Sequence, residues 1–182
     1  MQVIAGIAKG RSLVAPRGSG TRPLTARVKA SMFDILGNRI VGARVLDLFA
    51  GSGQLGIESL SRGANEATFV EINQQATEVI RKNLQNTNFT ERAKIVPQDV
   101  FLFLRNKPKH PFTLIFVAPP QYEGIATRTL HELDNDAFLA KGDLLIVQQS
   151  VKEPKAETLS NVFLSDERHY GSTSLMFYER FT

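Results

Sequence analysis

From Ala43 onward the chain alternates between short apolar runs and amphipathic segments. "ARVLDLF" reads as a strand, "QLGIESLSR" as a helix closed by Gly63, "EATFVEI" as a strand and "QQATEVIRKNLQN" as a helix capped by Asn73. The alternation continues through the strand "AKIVPQD", a helix "VFLFLRN", the strand "FTLIFVA", a helix around "ATRTLHEL" and the strand "DLLIVQQS". Nearly continuous apolar strands separated by helices of about ten residues imply a parallel sheet covered on both faces. Two further β-type runs, Asn161 to Tyr170 and Ser172 to Phe181, are joined by Gly171 with no helix between them, so they pair antiparallel. The expected fold is α/β and doubly wound: a mostly parallel seven-stranded sheet that finishes in an antiparallel C-terminal hairpin.

Upstream, "QVIAG" and "SLVAP" flank "IAKGR" and predict a small N-terminal β-hairpin, followed by the loop "RGSGTRP". Thr25 is suited to cap a helix over Ala26 to Leu36. On that helix Val28, Met32, Ile35 and Leu36 fall at core-facing spacing, and Arg27 and Lys29 are expected to point toward solvent or a ligand. The 182 residues hold one ordinary domain, read as 25–182, with residues 1–24 as an appendage.

Composition narrows the function classes. Apolar residues make up 42% and charged residues 22%, and no apolar run approaches the roughly 18 residues of a membrane span, so a soluble protein is expected. The N-terminus is punctuated by Gly6, Lys9, Gly10 and Arg11, which does not suit a secretory signal, and a cytoplasmic location follows. The absence of cysteine excludes disulfides, thiolate metal sites and a thiol nucleophile. His110, His131 and His169 lack metal-ligand spacing, so no metal is expected. Charge is uneven: residues 1–44 hold eight Lys or Arg against Asp34 alone, which is the footprint of a phosphate-rich partner or of a plain solvated surface.

The first strand runs into "DLFAGSGQLG", so Gly51, Gly53 and Gly56 match a nucleotide-binding glycine loop. Glu71 ends the next strand 18 residues beyond Gly53, where a carboxylate can accept both hydroxyls of a ribose, and Asp99 ends the third in position for an adenine amine. Asp47, just before the loop, would repel a pyrophosphate but suits the ammonium of a methionine moiety. With no room for the separate substrate domain of a dehydrogenase, the pattern favours S-adenosylmethionine over a nicotinamide dinucleotide.

"FTLIFVAPPQYEG" adds a strand stopped by Pro119 and Pro120, neither of which can donate to a sheet ladder. This corner is either a plain loop start or the floor of a site; the neighbouring strand-end acids favour the site.

Over nearly the whole chain, "VIAGIAKGRSLVAP", "GTRPLTARVKASMFDIL", "VLDLFAGSGQLGIESLSRGA", "FVEIN" and "HYGSTSLMFYE" resemble the bacterial 16S rRNA guanine-N2 methyltransferase family, in that order. The resemblance implies a Rossmann-like S-adenosylmethionine domain that methylates the exocyclic amine of one guanine in small-subunit rRNA. It implies cofactor contacts from Asp47, Phe49, Ala50, Gly51, Ser52, Gly53, Glu71, Ile72, Asp99 and Val100. It implies base contacts from Ala118, Pro119, Pro120, Gln121 and Tyr122, and RNA contacts from Arg11, Thr21, Arg22, Pro23, Arg27 and Lys29. The expected partner is rRNA within a small-subunit assembly particle, met by a monomer. In the resembled family, Asp or Asn precedes the two prolines and an aromatic residue follows directly. Here Ala118 brings no side-chain acceptor and Gln121 displaces Tyr122 by one place. Two rival readings follow: an RNA-binding assembly factor that kept the cofactor fold without catalysis, or a methyltransferase of another planar amine in DNA or protein.

Overall fold

The computed structural model describes residues 1–16, 24–121, 124–135 and 137–181. Twelve main elements follow in order: α1 (Ala26–Leu36), β1 (Arg44–Leu48), α2 (Gln54–Ser61), β2 (Glu66–Val70), α3 (Gln74–Thr87), β3 (Ala93–Val96), α4 (Val100–Leu104), β4 (Phe112–Val117), α5 (Ile125–Leu133), β5 (Leu139–Ser150), β6 (Val162–Tyr170) and β7 (Thr173–Arg180). The two expected caps form, with the Thr25 hydroxyl accepting from the Val28 N–H and the Asn73 side chain from the Ala76 N–H.

One seven-stranded sheet runs β3-β2-β1-β4-β5-β7-β6. The five strands from β1 to β5 pair parallel; β7 pairs antiparallel with both β5 and β6. Alternate residues of each strand face opposite layers. Val45, Phe69, Phe116 and Ile146 face α1, α2, α3 and the N-terminal segment; Leu46, Val70, Val117 and Val147 face α4 and α5. The chain winds from β1 outward to β3, then returns to place β4 on the other side of β1. The strand order reverses there, so the β1 and β4 carboxyl ends open into the crevice where such sheets take ligands.

The N-terminal extension turns back on itself through one antiparallel bridge, Gln2 to Ser12, with the Val3, Gly10 and Leu13 N–H groups donating to the Arg11, Val3 and Met1 carbonyls, and α2 holds it from the side. Glu58, fully buried on α2, accepts from the Ile4 and Ala5 N–H groups at 2.9 and 3.0 Å. The Ser61 hydroxyl accepts from the Ala8 N–H and donates to the Ala5 carbonyl. Val3, Ala8 and Leu13 join the main core.

Two expectations on α1 are corrected. Ile35 is 40% exposed, and Phe33 takes the core position instead. Lys29 is only 2% exposed: its Nζ meets Glu58 Oε2 at 3.1 Å and donates to the Gln2 carbonyl at 2.9 Å. A buried acid on the neighbouring helix can draw in a long flexible side chain that helical spacing alone would place outside.

Candidate active site

At the carboxyl ends of β1, β4 and β5 lies a cleft of about 1060 Å³. One wall is the glycine loop with Asp47, Phe49, Ala50, Gly51 and Ser52; the facing wall is Ala118, Pro119, Pro120, Gln121 and Gln148. The β6–β7 turn, from His169 to Thr173, closes one side, and Leu24, Thr25, Arg27 and Val28 line another. Met1, Ala15 and Pro16 also line it, so the N-terminal segment is part of the site.

The loop holds its shape through two close fits. Gly56, in the first turn of α2, lies so near the sheet that an added Cβ would be 2.4 Å from the Phe69 ring, which leaves glycine as the residue that fits. Phe49 takes a positive φ of 58°, a strained value for a side chain with a Cβ, and turns the backbone out of β1. The loop is also tied to the N-terminal segment: the buried Asn83 amide donates to the Ser52 and Val14 carbonyls and its Oδ1 accepts from the Val14 N–H.

Asp47 is the most perturbed acid of the cleft. Burial pushes its carboxyl up to about 7, opposed by the Gly56 N–H that it accepts and reinforced by the nearby Glu71 charge. A buried acid of this kind is suited to meet a cationic group.

Sequence reasoning placed ten residues around the cofactor, and the structure divides them. Asp47, Phe49, Ala50, Gly51 and Ser52 line the cleft. Gly53 and Val100 are buried and outside its lining, and Ile72 is 68% exposed. Glu71 accepts from the Gly51 and Asn73 N–H groups at 2.8 Å each, so it braces the glycine loop from β2. Asp99 caps α4 through the Leu102 N–H at 2.9 Å. Beside it, Phe101 meets Phe49 edge to face with ring centres 6.5 Å apart, and the Arg128 guanidinium lies over the Phe101 ring.

At the base corner Pro119 is buried and Pro120 exposed; Tyr122 lies outside the described residues. Of the RNA candidates, Thr21, Arg22 and Pro23 also lie outside them. Arg27 is exposed and lines the cleft; Arg11 is exposed, away from it, and donates to the Asn86 carbonyl. The burial of Lys29 removes it from contact with phosphates. Arg39 and Arg44 are also paired within the fold, with Glu179 and Glu66, so the basic excess of the N-terminal 44 residues is partly spent internally. Glu58, Asn83, Gln148 and the β6–β7 turn were missed. A helix-interior polar residue carries no local signal; Gln148 had one, its place at the carboxyl end of a strand.

Comparison with known proteins gives this geometry a lineage. A family described as Conserved hypothetical protein 95 matches residues 1–179. The chain is 34% identical over 180 residues to the ribosomal RNA small subunit methyltransferase D of Escherichia coli strain K12, covering 99% of this chain and 90% of that protein. The chain belongs to this methyltransferase family. Its Haemophilus influenzae relative of the same name is 33% identical, covering 98% of this chain and 93% of that protein. Among solved structures, the Escherichia coli protein yhhF, described as a candidate methyltransferase, superimposes with a TM-score of 0.87 at 35% identity, covering 100% of this chain and 98% of that one. Family membership agrees with the cleft between the Asp47 loop and the double-proline corner. Among the described residues no helix is long and apolar enough to cross a membrane, and no group of acids and histidines is arranged to hold a metal ion.

Proposed function

We propose that this protein transfers a methyl group from S-adenosylmethionine to the exocyclic N2 of a guanine in small-subunit rRNA. The observation that carries this reading is that a buried acid with a raised pKa and a double-proline corner face one cleft, in a chain whose relatives are named for small-subunit rRNA methylation.

The donor set fits the cofactor. Asp47 offers a buried carboxylate to an ammonium group, and Gly51 and Ser52 bring the backbone close. Glu71 and Asp99 lie outside the cleft lining, and their places at neighbouring strand ends are what supports giving them the ribose and adenine. When bound, S-adenosylmethionine supplies an electrophilic methyl group: the guanine N2–C bond forms as the sulfur–carbon bond breaks, sulfur keeps that electron pair, and one N2 proton is lost to water.

The protein's task is to make the base amine nucleophilic. Its lone pair is delocalised into the ring, so acceptors must hold the amine protons while the base is clamped outside its stack. Pro119 and Pro120 stiffen the backbone at this corner, which makes its carbonyls rigid acceptors, and Tyr122 stacks on the extruded base. Arg27 at the cleft rim, with Arg22 and Arg11, meets phosphates, and residues 1–24 form the RNA-facing appendage. The substrate is a small-subunit assembly particle met by a cytoplasmic monomer.

Purified protein with methyl-labelled S-adenosylmethionine is expected to label the rRNA of small subunits from cells lacking the gene, close to stoichiometrically, and to leave DNA and protein unlabelled. Tight cofactor binding with no label in RNA would favour an assembly factor without catalysis.

A further inference from the structure

Ala118 leaves the base corner one acceptor short, and the sheet register shows where a replacement stands. Val117 of β4 pairs with Val147 of β5 in parallel register, so Ala118 and Gln148 are the next residues on neighbouring strands. Both fall on the sheet face that carries Phe116 and Ile146, and both line the cleft. Parallel strands lie about 4.8 Å apart, a gap that the side chain of glutamine can span.

The two adjacent glutamines of β5 are used differently. Gln149, on the opposite face and 3% exposed, donates its amide to the Glu153 and Pro154 carbonyls at 3.2 and 3.4 Å. Gln148 is half-buried, and among the described residues its amide makes no hydrogen bond. A carboxamide at a cleft wall with both its donors and its acceptor unspent is available to a ligand.

We propose that Gln148 hydrogen-bonds the base: its Oε1 accepts a proton of the guanine N2 amine and does the work that a side chain at position 118 would otherwise do. The assignment rests on the methyltransferase reading above. It makes Gln148 a catalytic residue that acts on the orientation of the amine, with no role in holding the cofactor.

The test measures kcat and KM for methyl transfer to small-subunit particles, and the Kd of S-adenosylhomocysteine, in wild type, Gln148→Leu, Gln148→Glu and the double variant Gln148→Leu with Ala118→Asn. Gln148→Leu keeps the size of the side chain without an acceptor and is expected to lower kcat by about 10–100-fold. KM and the Kd of S-adenosylhomocysteine stay close to wild type. Gln148→Glu, which retains an acceptor, keeps most of the rate, and Ala118→Asn restores a large part of the rate lost in Gln148→Leu. An unchanged kcat in Gln148→Leu, an equal loss in Gln148→Glu, or an Ala118→Asn effect independent of residue 148 overturns the assignment while the methyltransferase reading stands. A wild-type protein that binds S-adenosylhomocysteine yet transfers no methyl overturns both.

Discussion

Replacing Glu58 by alanine is expected to destabilise the protein by about 3–5 kcal/mol, the usual result of removing one partner from a buried ion pair. Glu58 is fully buried, and its two oxygens meet four donors: the Ile4 and Ala5 N–H groups, Lys29 at 3.1 Å and Arg62 at 2.9 Å. Its loss leaves the Lys29 ammonium without a counter-charge in the core and two backbone donors without an acceptor. At about 2–4 °C per kcal/mol for a domain of this size, the melting temperature should fall by roughly 10 °C. The damage should be directional as well. Residues 2–13 are pinned to α2 chiefly through Glu58 and Ser61, so hydrogen exchange in that segment should accelerate more than in β1 or β4. Cofactor affinity should drop with it, because Met1, Ala15 and Pro16 line the cleft. A melting temperature near wild type, or exchange that rises evenly over the whole domain, would show that Glu58 is not the anchor of the N-terminal segment.

Cofactor binding should depend on pH through Asp47. Its carboxyl is raised by burial from 3.8 to about 7, so below neutrality the ligand-free site holds a proton that must leave before an ammonium can bind. The Kd of S-adenosylhomocysteine should weaken by about tenfold for each pH unit below about 7 and be flat above it. Asp47→Asn should remove that dependence and weaken binding at pH 8 by about 10–100-fold, the worth of one charge-assisted hydrogen bond.

Stability runs the opposite way. The folded protein keeps the Asp47 proton over a range in which the unfolded chain has lost it, so stability declines as pH rises from 3.8 to about 7 and levels off beyond. Without ligand, Asp47→Asn should therefore match wild type in acid and exceed it at pH 8, by on the order of 2–4 kcal/mol. The buried charge is a cost carried for function, a common feature of binding sites. A pH-independent Kd in wild type, or an Asn variant less stable at pH 8, would sink this account of Asp47.

The sequence showed the layers of the fold more readily than the contents of its interior. Continuous apolar strands between amphipathic helices announced the parallel sheet, and Gly171 between two β-type runs announced the closing hairpin; both exist with the expected pairing. Local signals sufficed because strand period and turn chemistry act over a few residues. Lys29 failed for the complementary reason: its burial depends on Glu58, which is distant in sequence and reaches it only through the packing of α2 on α1.

The site shows the same division. Asp47 and the loop after it were readable because a strand, an acid and spaced glycines leave a local pattern. Glu71 and Asp99 were read as ligand groups; in the structure Glu71 accepts from the Gly51 and Asn73 N–H groups and Asp99 from the Leu102 N–H, a structural use that spacing does not reveal. Gln148 carried the local signal of a strand's carboxyl end, but its partner, Ala118, is set beside it only by the register of β4 on β5.

The methylated atom is proposed to be guanine N2. Nucleoside mass spectrometry of small-subunit rRNA, from cells without the gene and after treatment of their particles with purified protein and S-adenosylmethionine, tests it directly. N2-methylguanosine is expected to be depleted at one position in the untreated RNA and restored there by the protein. A full level of N2-methylguanosine without the gene, or a methyl group that arrives on another base or another atom of guanine, would contradict it.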